Sequence, residues 1–283
     1  MVRKSLPSMR QRRLGTELRR LREQVDLSVT KAAALLGSSQ PQISSVETGR
    51  FAVSADRVRS MARSYTCSDD ALIEGLAEMT GGRTRGWWDE YRDILPPDAL
   101  DLAELEHHAT EMRTASVIHF PGLLQTRAHA HAVISDDVPA LTPPEVEHRV
   151  SFRIKRQAVL YRENPAPVTA IIHEAALRMG FGGPDVARAQ LRNLLDMSER
   201  EHITVLVIPF GAGTFPSSGQ SIYYMGGTVP ALDTVQLDTD HGAGFLDAQP
   251  QLAKYRTVLD RMERCSLTPA ESRDLIRRIA EAI

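Results

Sequence analysis

The chain is 283 residues long, 25% charged and 42% hydrophobic, a balance that suits a folded protein of about two domains and excludes disorder throughout. No stretch approaches the roughly 20 apolar residues that span a bilayer, and the basic start runs into Leu14-Gly15-Thr16-Glu17 rather than an apolar leader core, so a cytoplasmic chain without membrane contact is expected. The formal charge of −2 hides an asymmetry: residues 1–64 carry 13 Lys and Arg against 5 Asp and Glu, a net of +8 that leaves −10 on the remainder, so only the head suits an anionic partner.

In chain order, residues 1–11 read as a flexible basic arm that displaces counterions from phosphate, with plain solubilising charge as the alternative. Leu14, Leu18, Leu21 and Val25 form one stripe of a first helix. Ser28 caps a second helix that stops at Gly37. Ser38 and Ser39 offer the next cap, Pro41 suits a first turn, Ile43 and Val46 point inward, and Gly49 ends a third helix. Gln40, Gln42, Ser44 and Ser45 lie near or outside that buried stripe and can face a groove. Ser54 caps a fourth helix with Val58, Met61 and Ala62 inward, and Asp69 or Asp70 starts a fifth with Leu72, Leu76 and Met79. Cys67 and Cys265 lack disulfide or metal-motif spacing and read as buried thiols.

From Leu27-Ser28 through Ala33 and Gly37 to Ser39-Gln40-Pro41-Gln42-Ile43-Ser44-Ser45-Val46-Glu47-Thr48-Gly49-Arg50, the pattern resembles the repressor-like (XRE) helix-turn-helix family. The resemblance implies an all-α domain of five helices over residues 12–78, with its third helix in the major groove of double-stranded operator DNA. It places Gln40, Pro41 and Ser45 at base edges, where the Gln40 amide can pair with adenine N6 and N7 and Pro41 offers only apolar contact. Ser39, Gln42, Ser44, Thr48 (through its amide) and Arg50 become DNA-backbone or groove-flanking residues, and Arg22 with Glu47 a structural ion pair between the first and third helices. Val29 departs from the family where a polar residue is common, and Ala32 where a larger apolar one is. A motif serving only protein contact is the alternative.

Residues 79–98 read as a linker, irregular at Gly81-Gly82 and then aromatic at Trp87, Trp88 and Tyr91 in a chain only 5% aromatic. That cluster reads as packing between domains, with base stacking or partner binding as alternatives. Beyond it, helices are expected at residues 100–115, up to 134, from 143 to beyond 158, and at 185–201, 249–264 and 269–282. At least four strands are expected, at 168–173, 203–209, 221–225 and 234–237, which makes residues 99–283 a larger α+β domain with a mainly antiparallel sheet.

Phe120-Pro121-Gly122-Leu123-Leu124-Gln125-Thr126, Arg153 with Arg156-Gln157, His173-Glu174-Ala175-Ala176-Leu177, Gln190-Leu191 and Val207-Ile208-Pro209-Phe210 resemble the motifs of the DUF5753 family over residues 95–278. These are Scr1-type antitoxin-like transcriptional regulators, WhiJ-like proteins among them. His129 departs from the family, where Tyr is usual. The resemblance implies a regulator of development or secondary metabolism with a small DUF397-like protein as partner, and no cofactor.

Chemistry has little to stand on. His107 and Glu111 would share a helix face at i, i+4 beside His108, but a third metal ligand is missing nearby. His173-Glu174 lacks the second His of a zinc-protease helix, and neither nucleophile elbow nor phosphate loop occurs. No catalytic residue, metal or cofactor is expected, and a metal-dependent enzyme is the remote alternative. His119, His129, His131 and His241 read as satisfied polar residues, with a sensor or metal site as the alternative. Glu174 beside Arg153 and Arg156 reads as a buried ion pair holding strand to helix or as one wall of a ligand pocket. With Trp87, Trp88 and Tyr91 these residues make up the candidate partner or ligand region. The expectation is a homodimeric, sequence-specific regulator whose body senses a partner or ligand, the alternative being an antitoxin-like protein that sequesters a small partner and regulates its own gene.

Overall fold

The computed structural model describes residues 7–80, 86–239 and 241–283. The expected arm over residues 1–6 and the linker over residues 81–85 lie outside them. Two compact units emerge, one taking in Met1–Asp89 with Thr228–Leu232 and the other Glu90–Gly227 with Asp233–Ile283.

The first unit holds five helices: α1 Met9–Gln24, α2 Val29–Leu35, α3 Gln40–Glu47, α4 Ala55–Ser64 and α5 Asp70–Glu78. Their starts are set by side-chain caps: Ser28, Ser39, Ser54 and Asp69 each accept a hydrogen bond from the backbone N–H three residues on. Ser8 and Gln11 form a capping box, so α1 begins before Leu14 and absorbs residues 9–11 of the expected arm. Leu14, Leu18, Leu21, Ala33, Ile43 and Val46 meet Val58, Met61 and Leu76 in one core. Val229 completes that core from far along the chain, and a Cβ on Gly75 would lie 2.8 Å from its Cγ2. Arg13, buried, donates to the Ala231 carbonyl at 2.7 Å. This short segment was not foreseen by contiguous domain boundaries.

The second unit runs α6 Pro97–His108, β1 Glu111–Ser116, α7 Arg127–Ser135, α8 Pro143–Arg156, β2 Val168–His173, α9 Glu174–Arg178, α10 Pro184–Met197, β3 Ile203–Ile208, β4 Ile222–Gly226, β5 Thr234–Thr239, β6 Gly242–Leu246, α11 Gln249–Cys265 and α12 Pro269–Ala282. The six strands lie in the order β3-β2-β1-β4-β5-β6. β1 pairs in parallel with β2 and β2 with β3, whereas β1–β4, β4–β5 and β5–β6 are antiparallel. Val168, Ala170, Ile172, Val205 and Val207 pack in one core with Leu191, Leu194 and Ile276 of α10 and α12. Ile171, Leu206 and Ile208 pack in another with Leu252, Leu259 and Met262 of α11. Covering both faces is what makes β2 and β3 near-continuous apolar runs.

Several expectations are corrected. The helix over residues 100–115 ends at His108, and residues 111–116 are β1, whose ladders on both edges override local helix propensity. The helix from residue 143 stops at Arg156 and continues as a 3-10 turn, and the one from 185 stops at Met197. Cys67 and Cys265 are free and half-buried rather than buried.

His129, on α7, is 1% exposed, packs edge-on against Phe120 at 4.9 Å, and has no hydrogen-bond partner for either ring nitrogen among the described residues. Burial first, then the charges of His119 and Arg153, bring its pKa down to about 4. The unfolded chain takes up this proton near pH 6.5 and the folded chain only near pH 4, so the stability present above the higher value drains as pH falls through that window. The loss should reach about 3 kcal/mol. Urea unfolding of the wild type and His129→Phe across the window should show a shallower decline in the variant, and equal declines would contradict this assignment.

Candidate nucleic-acid interface

Two short helices, α2 and α3, meet across a turn that Gly37 makes possible by adopting φ +58°. Ser39 Oγ accepts from the Gln42 amide at 3.4 Å, while Gln42 Oε1 accepts from the Ser39 amide at 3.1 Å and the Ser38 hydroxyl at 2.9 Å. This reciprocal box starts α3 and holds the Gln42 carbonyl in the cap. Ile43 and Val46 are buried, Gln40, Pro41, Gln42 and Ser44 are exposed, and Ser45 is half-buried. The helix therefore turns a polar, small-residue surface with one carboxamide at its N-terminal end toward solvent. Among the described residues Gln40 Oε1 makes only a long 3.5 Å contact with the Thr30 hydroxyl.

The position of α3 is fixed by α1. Arg22 Nε and Nη2 donate to Glu47 Oε1 and Oε2 at 2.6 and 2.9 Å, and Nη1 donates to the Leu27 carbonyl at 2.6 Å. Both partners are buried, so the expected ion pair is a bidentate clamp that also holds the turn before α2. Beside it the backbones almost touch: a Cβ on Gly15 would lie 2.5 Å from the Glu47 carbonyl oxygen, and one on Gly49, at φ +70°, 2.8 Å from that of Gln11. Gly15 was missed by the sequence reading. Its signal was a glycine in mid-helix, where alanine is favoured by about 1 kcal/mol.

The charge around α3 sorts into spent and unspent. Arg19, Arg20 and Arg59 are paired with Glu23, Glu17 and Glu74. Lys31, Arg50 and Arg63 have no carboxylate within 4 Å among the described residues. Arg50 is exposed, and its amide donates to the Ser45 carbonyl at 2.9 Å, which ties it to the end of α3. Thr48 corrects an expectation: its amide donates to the Ser44 carbonyl at 3.1 Å and is used within the helix, as is its exposed side chain, whose hydroxyl donates to the same carbonyl at 2.9 Å.

In the second unit the expected pairing of Glu174 with Arg153 or Arg156 does not form. Glu174 bonds Arg178 one turn along α9 at 2.7 Å and accepts from the Phe210 amide at 2.8 Å. Arg156 is taken by Glu106 of α6 in a buried bidentate pair at 2.8 and 2.5 Å, and Arg153 donates to Gln125 Oε1 at 2.9 Å. Glu106 was missed, being one of four acidic residues in α6 with no spacing to single it out. Trp87 and Trp88 meet edge-on at 5.9 Å with Trp88 buried, and Tyr91 packs edge-on against Phe152 at 5.0 Å. His107 and Glu111 share no helix face, because Glu111 belongs to β1, and His107 Nδ1 lies 2.8 Å from Arg162 Nη2. Among the described residues no three His, Cys, Asp or Glu side chains are grouped to hold a metal, and no helix is long and apolar enough to cross a membrane.

Gly15→Ala should cost about 1–3 kcal/mol of stability by overpacking the α1–α3 contact. Glu47→Ala should cost about 3–5 kcal/mol by stranding a buried guanidinium. Thermal or urea unfolding measures both, and wild-type stability in either variant would contradict the clamp described here.

Residues 13–75 match a family described as Helix-turn-helix domain, and residues 99–278, well over half of the chain, match one described as Domain of unknown function (DUF5753). No curated protein and no solved structure matches the chain. The helix-turn-helix match falls on the helices just described, and such a domain suggests a DNA-binding regulator. The chain belongs to the DUF5753 family and carries a helix-turn-helix domain ahead of it.

Proposed function

We propose that this protein is a sequence-specific transcription regulator in which α3 enters the major groove, with Gln40, Pro41 and Ser45 at base edges. Ser39, Gln42 and Ser44 flank the groove with the Thr48 side chain, and Arg50 meets phosphate. The observation that carries the reading is the exposed Gln40-Pro41 end of a helix whose opposite face and C-terminal end are locked to α1 by Ile43, Val46 and the Arg22–Glu47 pair. A reading surface must be both accessible and held in place, and this one is both.

Two such heads in a homodimer suit a palindromic operator, and the C-terminal unit acts as the effector domain. Binding of a small DUF397-like protein or a ligand to that unit changes operator affinity, in the setting of development or secondary metabolism. The protein works by binding and carries out no chemistry of its own.

The assay is binding of the purified chain to its own upstream region and to random duplex across a salt series. Gln40→Ala should lose about 1–3 kcal/mol on the operator and leave random duplex unchanged, because a base contact is removed. Arg50→Ala should weaken both duplexes alike and reduce the salt slope by about one. Equal losses on both duplexes in Gln40→Ala would overturn the base-reading assignment.

A further inference from the structure

Within the second unit, the start of α6, the end of α7 and its following loop, α8, and the β5–β6 hairpin enclose a cleft of about 750 Å³. That is the size of a small-molecule site. Its polar groups are unevenly satisfied. Three arginines one turn apart on α8 line it, and two are already matched: Arg149 bonds Asp137 at 2.8 Å, and Arg156 is held bidentately by Glu106.

Arg153 sits between them and is different. It is half-buried, has no carboxylate within 4 Å among the described residues, and spends one N–H on the neutral carboxamide of Gln125 at 2.9 Å. Burial, and then the adjacent Arg156 charge, disfavour its protonated form. Asp238 and Glu106 favour the charge without making an ion pair with it, and a guanidinium kept in such a place without a directly bonded carboxylate is one that an incoming anion can stabilise. Asp238 of β5 also lines the cleft. It accepts from the Gln236 side-chain Nε2 at 2.8 Å and has no cation within 4 Å among the described residues.

Leu102, Ile134, Leu141, Phe152 and Phe181 supply an apolar part of the wall, beside the polar Asp98, His119 and Asp136. One unmatched cation suits one negative charge. The acids around it, Asp98, Asp136 and Asp238, disfavour a doubly charged phosphate. We propose that this cleft binds a small amphipathic monocarboxylate, its carboxylate forked onto Arg153, its apolar body against Phe152 and Phe181, and a hydrogen-bond donor at its far end facing Asp238. The proposal deepens the effector reading of this unit, and because binding is measured without DNA, its failure leaves the reading of α3 untouched.

The test is calorimetric titration of the full chain with hydroxyphenylpropionate and tyrosine, each against its amide, and with inorganic phosphate alone. The acids should bind saturably, the amides at least about tenfold more weakly, and phosphate not at all. Arg153→Gln should lose at least about tenfold for the acids, with partial recovery in Arg153→Lys. Asp238→Asn should weaken tyrosine and hydroxyphenylpropionate alike, since both present the same phenol donor at the far end, and this variant with the acid–amide comparison in the wild type decides the matter if Arg153→Gln does not fold. Equal binding of acid and amide, tighter binding of phosphate, undiminished binding by Arg153→Gln, or no binding of either acid up to about 10 mM would each overturn the proposal.

Discussion

The Arg22–Glu47 clamp is the constraint on which the reading head depends. α3 is only eight residues long, too short to be stable alone, and it buries just Ile43, Val46 and Glu47. Tertiary contact must therefore supply its position as well as its stability. The clamp fixes the C-terminal end of α3 to α1 and, through the Leu27 carbonyl, fixes the entry to α2. Gly15 and Gly49 let the backbones approach closely enough for the pair to close. A buried ion pair roughly breaks even in energy, so its use here is geometric: the arrangement of α1, α2 and α3 that satisfies it leaves Gln40 and Pro41 facing water.

The second unit applies the same economy to its own polar groups. β1 stands at the centre of the sheet, parallel to β2 on one edge and antiparallel to β4 on the other. It carries Arg113, which two acids of α11, Asp260 and Glu263, hold at 2.8 and 2.7 Å. Gln190, fully buried, accepts from the Thr126 amide and donates to the Leu124 carbonyl, securing the turn before α7. Beside these matched groups, Arg153 on α8 bonds only a neutral carboxamide, with no carboxylate within 4 Å among the described residues.

Much of the head was legible because its signals are local. Ser28, Ser39, Ser54 and Asp69 act within three residues, Gly37 and Gly49 act on their own φ, and the apolar stripe repeats within one helix. β2 and β3 were legible for a related reason, since a strand covered on both faces reads as an apolar run. β1 was not. Its Glu-Met-Arg-Thr-Ala-Ser sequence follows a helix without a break, and its strand character comes from partners 56 and 107–115 positions away, Val168 and Gly226 among them. β6, Gly-Ala-Gly-Phe-Leu, is hidden by its glycines. Gly15, Glu106 and the Val229 segment were missed because the groups they meet lie elsewhere in the chain.

The most direct measurement of the central claim is selection from a pool of random duplexes by the wild-type chain and by a Gln40→Ala/Ser45→Ala double variant. If α3 reads sequence, the wild type enriches a defined half-site and the double variant loses preference at one or two positions within it while still retaining duplex. Enrichment of the same motif by both proteins, or of none by the wild type, would contradict the account.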